Sequence, residues 1–341
     1  MDDAAAAWSR LPTWVKAASI AGGLLALREV YARATEKSVA GEVVLITGAG
    51  SGIGRLMAHR FAGLGGRMVL WDINAVAVQA VAEELTSLGH EAKAFTVDVA
   101  DRTTVYKAAG EVLREFARVD ILVNNAGIVS GKSFLDNDDE KVEKTFAVNT
   151  LAHFWSVKAF LPGMVDRNHG HIVTISSASS QSGVVGLSDY AASKWAAFGF
   201  DESLRLEFRK KGYTGLHTTC ICPYYINTGM FEGVASRFSF LLPLLQPEFV
   251  ADSVVTAVRR NTAVVMLPSL VWFTGTFRLL LPTSVYDSAM EFLGISASMD
   301  DFVGRGDSVA MRHSRGVQGA PAPLPGAAAA AEGSEASREG D

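Results

Sequence analysis

The organisation of the chain follows from one run of residues, Glu42-Val-Val-Leu-Ile-Thr-Gly-Ala-Gly-Ser-Gly-Ile-Gly54. Its apolar first half predicts a short buried strand, and the stretch 55–64 that follows it predicts a helix. Glycines between a strand and a helix let the backbone turn sharply and approach a pyrophosphate, which then sits on the amino terminus of the helix. In this context the glycines predict a dinucleotide-binding turn.

The same alternation of strand and helix continues through the rest of the chain. Further strands are predicted at Arg67–Trp71, Ala92–Val97, Ile121–Val123, His171–Ile175, Leu216–Cys222 and Val264–Leu267. Helices are predicted from Asn74 to Gly89, over Thr103–Phe116, around Lys141–Met164, through Tyr190 with Ser188 as its cap, and over Phe249–Arg260. This order predicts an α/β fold, a Rossmann-type doubly wound parallel sheet of about seven strands with right-handed crossovers.

Composition and charge limit the classes of protein and partner. The 341 residues are 49% hydrophobic and 20% charged, which allows a large buried core. The net charge of −5 argues against a nucleic-acid partner. Cys220 and Cys222 lie two residues apart in a predicted strand, so they face the same side and are badly placed to bridge. We expect buried core thiols and no metal site.

The two ends of the chain differ from the predicted domain, which we place at residues 41–268. Within residues 1–40, the stretch 17–27 has eleven uncharged residues, fewer than the ~20 that span a bilayer. It predicts either a membrane-associating segment lying at the interface or a helix packed on the protein's own surface; a removed secretory signal is not favoured. Residues 269–303 form a second apolar segment, and residues 304–341 are rich in Gly, Ala, Pro and Ser, which predicts disorder.

Three side chains near the fifth predicted strand suggest a reaction. Tyr190 and Lys194 are four residues apart, which places phenol and ammonium on one helix face, one turn apart. A neighbouring ammonium favours the phenolate and would lower the tyrosine pKa from its usual value of about 10. Ser177 lies at the carboxyl end of the strand and could hold a substrate oxygen beside the phenol. The alternative is an amphipathic helix on which the pair occurs by coincidence.

Five motifs resemble those of the short-chain dehydrogenase/reductase family over residues 38–290 and stand in the family's order. They are Thr47-Gly-x-x-x-Gly-x-Gly54, Asn124-Asn-Ala-Gly127, Asn149, Ser177 and Tyr190-x-x-x-Lys194. Finer features resemble its membrane-associated branch, which holds the epidermal-type retinol dehydrogenases and the type 11 17-beta-hydroxysteroid dehydrogenase. These features include Val69-Leu-Trp-Asp-Ile-Asn74, Ala152-His-Phe-Trp155 and Lys158-Ala-Phe-Leu-Pro162.

The resemblance implies four catalytic residues. Ser177 would bind the substrate oxygen, and Tyr190 would take the alcohol proton as general base. Lys194 would lower the pKa of Tyr190 and hold the nicotinamide ribose, and Asn149 would hold a water that links Lys194 to solvent. Cofactor contacts are implied for Tyr190, Lys194 and a set of turn and strand-end residues: Gly48, Ser51, Gly52, Ile53, Gly54, Asp72, Asp98, Val99, Asn125, Ala126, Gly127, Pro223 and Thr228.

The sequence departs from the family pattern at two positions. Tyr224 stands where the family usually has a glycine after strand six, so we expect an altered wall on the nicotinamide side. Ser180 replaces a glycine after the catalytic serine, which leaves Ser176 and Ser180 as rivals of Ser177.

Asp72 follows the second strand, eighteen residues after Gly54, where a carboxylate accepts hydrogen bonds from the adenosine ribose. Its charge would repel the 2′-phosphate of NADP, so we expect NAD to be preferred over NADP. The alternative is an exposed aspartate at a strand end.

The residues and the resemblance together predict an NAD-dependent dehydrogenase of a hydrophobic alcohol or carbonyl, working at a membrane surface. We expect a homodimer on the endoplasmic reticulum or lipid droplets, with its domain facing the cytosol. The alternatives are a soluble carbonyl or oxoacyl reductase of the same family and a non-catalytic NAD-binding scaffold. The complete set of catalytic residues argues against the scaffold, and the apolar run Phe238-Ser-Phe-Leu-Leu-Pro-Leu-Leu245 argues against a polar substrate.

Overall fold

The computed structural model describes residues 12–304. These residues contain a seven-stranded sheet in the order β3-β2-β1-β4-β5-β6-β7, in which every neighbouring pair is parallel. The strands are β1 (Val43–Thr47), β2 (Arg67–Asp72), β3 (Ala92–Thr96), β4 (Ile121–Asn124), β5 (Gly170–Ile175), β6 (Leu216–Pro223) and β7 (Val264–Leu267). All seven predicted strands are confirmed.

Helices cover both faces of this sheet. The helices of the described residues are α1 (Thr13–Ala34), α2 (Gly52–Gly63), α3 (Ala75–Ser87), α4 (Arg102–Phe116), α5 (Asp139–Phe146), α6 (Ala152–Arg167), α7 (Ser188–Lys211), α8 (Pro247–Arg259), α9 (Val271–Leu280) and α10 (Thr283–Phe292). One apolar core lies between the sheet and helices α2, α3 and α8, and a second lies between the sheet and helices α4, α6 and α7. The predicted doubly wound fold is therefore confirmed.

The strand order also locates the cleft. The chain runs outward from β1 through β2 to β3, then returns to place β4 on the other side of β1. Ligands of such sheets bind outside the carboxyl ends of the strands at this reversal point. The glycine-rich turn after β1, and the Asn124–Gly127 turn after β4, both lie there.

Two details of the helices differ from the sequence prediction. The long helix predicted around residues 141–164 is interrupted by a π-helical turn, Ala147–Leu151, which contains Asn149. Ser188 is not the cap of α7, because it is the first helical residue and Leu187 occupies the cap position. The cap prediction was wrong by one residue, since a cap must have a non-helical backbone.

The amino-terminal helix is joined to the domain by a fixed connection. The Glu36 carboxylate pairs with Arg259 at 2.7 Å and with Arg260 at 2.9 Å, just after α1 and at the end of α8. The Lys37 amide donates to the Arg259 carbonyl at 2.8 Å. None of the helices between residues 12 and 304 is long and apolar enough to cross a membrane. The predicted disordered tail falls, from residue 305 onward, outside the described residues.

The two cysteines are buried in β6 with their sulfur atoms 3.9 Å apart, and both are free thiols. The prediction of unbridged core thiols is confirmed.

Candidate active site

The glycine-rich turn after β1 is close-packed against the turn after β4. A Cβ atom on Gly54 would lie 2.1 Å from the Gly48 carbonyl oxygen, and one on Gly48 would lie 2.9 Å from Ala126 Cα. Gly48 also has a φ of +67°, which residues other than glycine rarely adopt. Gly52, the first residue of α2, has a φ of +54°, and its missing Cβ would meet only a methyl of Thr228, at 3.9 Å. The turn therefore leaves open space above the start of α2.

Thr47 locks the two turns together. Its hydroxyl oxygen accepts hydrogen bonds from the amides of Asn125 and Ala126, both at 3.0 Å. The Asn125 side chain donates back to the Thr47 carbonyl at 2.8 Å and to the Gly48 carbonyl at 3.2 Å. Sequence reasoning did not assign Thr47 a role in the site, although it opens the glycine motif.

Asp72 ends β2 beside the same turn. One oxygen of its carboxylate accepts from the Gly50 amide at 2.9 Å, and the other accepts from the Asn74 amide at 2.9 Å. The charge is thus held in place at the edge of the cleft, where each oxygen retains a further lone pair.

One continuous cleft joins these features to Tyr190. It is lined by every residue predicted to bind the cofactor: Gly48, Ser51, Gly52, Ile53, Gly54, Asp72, Asp98, Val99, Asn125, Ala126, Gly127, Tyr190, Lys194, Pro223 and Thr228. The glycine cradle, the helix amino terminus above it and the fixed carboxylate of Asp72 fit a dinucleotide. The cradle and the helix terminus would hold its pyrophosphate, and Asp72 would hold its adenosine ribose.

Tyr190, Ser177 and Lys194 lie together at the inner end of this cleft, and all three are buried. The Ser177 side chain lies close enough to the Tyr190 hydroxyl to affect its pKa. Burial raises the pKa of Tyr190 to about 12, and the interaction with the Ser177 side chain acts in the opposite direction. Burial also lowers the pKa of Lys194 to about 8.

The sequence predicted that Lys194 lowers the pKa of Tyr190. For the protein without a cofactor this prediction is wrong. Lys194 Nζ donates to the Ile175 carbonyl at 2.8 Å and lies 5.7 Å from the centre of the Tyr190 ring. At that distance the cost of burying a phenolate is the larger effect.

The two rival serines are committed to the backbone. Ser176 donates to the Lys194 carbonyl at 2.9 Å, and Ser180 donates to the Ser177 carbonyl at 2.7 Å. Ser177 accepts a bond from the Ser179 amide at 3.2 Å, which holds its hydroxyl toward Tyr190. This arrangement favours Ser177 for the substrate oxygen.

Asn149 lies behind the cleft in the π-helical turn and is fully buried. Its side chain accepts from the Ile128 amide and donates to the Ile128 carbonyl, both at 2.9 Å, and donates to Ser193 Oγ at 3.0 Å. Ser193 in turn donates to the Tyr190 carbonyl at 2.7 Å. Asn149 therefore ties the Asn124–Gly127 turn region to the helix that carries Tyr190.

The far side of Tyr190 is apolar. Its ring packs edge-on against Phe231 with centroids 5.8 Å apart, and Tyr225 contacts Phe231 at 5.2 Å. Tyr224 lines the cleft, as its departure from the family pattern suggested. The same cleft is also lined by Val184 and Leu187, just before Tyr190, and by residues distant in sequence: Met230, Leu242, Val271, Thr274 and Ile295.

Comparison with known proteins identifies the family. The model of the short chain dehydrogenase family matches residues 42–237. The chain belongs to this family. The short-chain dehydrogenases bind NAD or NADP, and this member is an oxidoreductase that acts on alcohols or carbonyls.

Among curated short-chain dehydrogenases, the chain is similar to epidermal retinol dehydrogenase 2 of Homo sapiens. The two are 46% identical over 272 residues, which cover 78% of this chain and 87% of the relative. The chain is also similar to estradiol 17-beta-dehydrogenase 11 of Homo sapiens, with 43% identity over 246 residues, 72% of this chain and 81% of the relative.

Two solved short-chain dehydrogenases share the fold. One, from Burkholderia phymatum in complex with NAD, has a TM-score of 0.65 and 25% identity and covers 72% of this chain and 95% of its own. The other, a metagenomic short-chain oxidoreductase in complex with NADP, has a TM-score of 0.57 and 27% identity and covers 67% of this chain and 96% of its own.

Proposed function

We propose that the protein is an NAD-dependent dehydrogenase of a long apolar alcohol, with retinol as the first candidate and a steroid or fatty alcohol behind it. One observation carries this proposal. A buried Tyr190–Ser177 pair lies between a dinucleotide cradle and an apolar chamber in one cleft. The named relatives, a retinol dehydrogenase and an estradiol dehydrogenase, support an apolar substrate.

In this proposal the protein's own residues bind the alcohol and move its proton. Ser177 and Tyr190 hold the hydroxyl oxygen, and Tyr190 accepts the hydroxyl proton as general base. A bound oxidised nicotinamide would supply the hydride acceptor and a positive charge in the pocket. Such a charge lowers a phenol pKa, which the protein alone raises to about 12.

Lys194 and Asn149 act behind Tyr190. Lys194, already hydrogen-bonded to the Ile175 carbonyl, holds the nicotinamide ribose and adds its own positive charge. Asn149 supports a water through which a proton leaves toward solvent, as the resemblance to the family implies. Three hydrogen bonds hold the Asn149 side chain in place. Asn149 and Lys194 both border the space beside Gly127, because a Cβ built on Gly127 would lie 3.5 Å from Asn149 Oδ1 and 3.6 Å from Lys194 Nζ.

The preference for NAD is proposed from Asp72. Its carboxylate is fixed by two backbone amides at the edge of the cradle and can accept from both ribose hydroxyls. The same charge repels a 2′-phosphate, which disfavours NADP.

A membrane surface is proposed as the source of the substrate. Several large apolar side chains of α9, α10 and the loop before α8 are exposed: Phe240 84%, Leu279 80%, Leu280 72%, Phe292 64%, Phe273 52% and Trp272 50%. These elements adjoin the substrate end of the cleft, because Val271, Thr274 and Leu242 line it. Phe238 connects the loop before α8 with α10, because its ring contacts Phe240 of that loop and Phe292 of α10. An exposed apolar surface of this kind marks a membrane or a protein interface.

We place the protein on the endoplasmic reticulum or lipid droplets, with the domain facing the cytosol and with α1 as a second contact with the lipid. A homodimer that covers the same surface is the competing arrangement. Flotation of the purified protein with phosphatidylcholine vesicles distinguishes them: wild type should float, and a Phe240→Ser/Leu280→Ser variant should float less. A dimer that persists with vesicles and does not float contradicts the membrane proposal.

The activity is tested by following NAD reduction with retinol, a hydroxysteroid, a long-chain alcohol and a short polar alcohol. The apolar alcohols should be oxidised with a higher kcat/KM, and NAD should exceed NADP. Equal or better use of the short polar alcohol would favour a soluble carbonyl reductase. Nucleotide binding without any turnover would favour the scaffold.

A further inference from the structure

Residues 294–304, which follow α10, form a segment that we call the C-terminal strap. It lies across the loop that follows β6: the Ala235 amide donates to the Ser298 carbonyl at 3.3 Å, and the Val303 amide donates to the Glu232 carbonyl at 2.9 Å. Met299 is buried in one apolar cluster with Tyr190, and Phe302 packs against that cluster. The strap therefore forms part of the apolar cluster that contains Tyr190.

Glycines in two loops and one glycine of the strap itself allow the strap to pack closely. A Cβ on Gly131 would lie 1.9 Å from the Phe302 ring, and one on Gly233 would lie 1.9 Å from the Asp301 carbonyl oxygen. Gly294, at the start of the strap, would place a Cβ 2.6 Å from Arg237 Cβ. All three glycines have positive φ, so both the space and the backbone conformation exclude other residues. These close contacts hold the strap in one position against the domain.

The strap is also bonded to the wall of the cleft. The hydroxyls of Tyr225 and Ser298 are 3.0 Å apart, and both residues are buried. Ser298 Oγ donates to the Ile295 carbonyl at 2.7 Å, so its single proton is committed and Tyr225 is the donor in the pair. Tyr225 lines the cleft, and its position is thus set by the strap.

Ile295 is the strap residue whose side chain reaches the cleft. It is buried and lines the same cleft as Leu187 and Val184. We propose that the C-terminal strap is a wall of the substrate pocket and that Ile295 determines how long an apolar alcohol the pocket accepts. The inference rests on the proposed function, because it assigns the substrate limit of the same site.

The first test changes the size of Ile295. Ile295→Ala and Ile295→Phe are compared with wild type on octanol, dodecanol and hexadecanol, with Asp300→Ala, an exposed strap residue, as the matched control. Ile295→Ala should raise the ratio of kcat/KM for hexadecanol over octanol by about tenfold, and Ile295→Phe should lower it by a similar factor. The control should keep the wild-type ratio. An unchanged ratio in both Ile295 variants overturns the proposal.

The second test displaces the whole strap. Gly131→Ala forces a Cβ into Phe302, whereas Gly89→Ala, also at positive φ, meets open space. Both variants carry the backbone strain, but only Gly131→Ala should raise KM for hexadecanol several-fold, and adding Phe302→Ala should restore it. Equal effects of the two glycine variants would mean that the strap has no part in the pocket.

Calorimetric titration of the same alcohols, in the presence of NAD, separates this inference from the proposed function. If no alcohol reduces NAD, the proposed function fails, but the relative affinities for octanol, dodecanol and hexadecanol still show whether Ile295 limits the length of the bound alcohol. If alcohols are oxidised but neither kcat/KM nor affinity depends on residue 295, only the inference fails.

Discussion

Lys194 Nζ donates a hydrogen bond to the carbonyl oxygen of Ile175, at 2.8 Å, and its distance to the centre of the Tyr190 ring is 5.7 Å. The lysine is therefore anchored to the end of β5 rather than to the phenol. Burial is the larger effect on Tyr190 and keeps the phenol protonated in the protein alone. Deprotonation of Tyr190 therefore depends on the cofactor that binds in the cleft, and the complex with bound cofactor is the reactive form.

Tyr190→Phe should keep the fold and NAD binding, because a phenyl ring fills the same buried space. Turnover should fall by about 10²–10⁴-fold, the usual contribution of a general base. Steady-state kinetics with retinol and calorimetric titration of NAD provide the two measurements. Tyr213→Phe, a tyrosine that packs on Phe208 away from the cleft, is the matched control. More than about a tenth of wild-type turnover in Tyr190→Phe would exclude the assignment.

Ser177→Ala should lower kcat by about 10²-fold, the size expected for a lost hydrogen bond to the reacting oxygen. Ser180→Ala should have a much smaller effect, because the proton of that hydroxyl is donated to the Ser177 carbonyl. Comparing kcat in the two variants decides between the serines. If Ser180→Ala is the more damaging, the roles must be exchanged.

Asp72→Asn should narrow the preference for NAD over NADP by about tenfold or more, since two charges about 4 Å apart near a protein surface interact by a few kcal/mol. Asparagine keeps an oxygen that can accept from the Gly50 amide, so the turn should remain folded. Asp72→Ala loses that bond too and should also lower Tm. The ratio of kcat/KM for the two cofactors checks the prediction, and equal use of NAD and NADP by wild type would defeat it.

His153 should make the protein sensitive to acid. Burial, with a smaller effect of the nearby Lys194 charge, lowers its pKa to about 3, whereas the pKa of a histidine in the unfolded chain is about 6.5. Between these values the unfolded chain binds more protons, so stability is lost as pH falls, by ~1.4 kcal/mol per pH unit from this group. In denaturant titrations at successive pH values, His153→Leu should lose less stability than wild type between pH 6.5 and pH 4. Parallel curves would contradict the assigned burial.

The sequence was sufficient for the features that depend on local pattern. Apolar runs such as Val264–Leu267 predict strands, and the glycines of the turn after β1 identify the cradle because they are needed at fixed offsets. The spacing of Tyr190 and Lys194 places both on one face of α7, and both line the cleft.

The remaining features depend on contacts between distant parts of the chain. The π-helical turn around Asn149 has no signal in hydrophobic spacing, and the pKa of Tyr190 depends on burial by Phe231 and Met299, which lie far away in sequence. The strap could not be predicted either, because nothing near Gly131 indicates that Phe302 fills the space beside it.

The central claim is that hydride passes to NAD from a long apolar alcohol in preference to a short one. The most direct measurement is a competition in one tube between hexadecanol deuterated at the carbinol carbon and unlabelled propanol at equal concentration. Mass spectrometry of the reduced cofactor then reports the share of turnover from each. Most of the reduced cofactor should carry deuterium, and exchanging the label between the two alcohols should reverse the result. Reduced cofactor that derives mainly from propanol, whichever alcohol carries the label, would contradict the account.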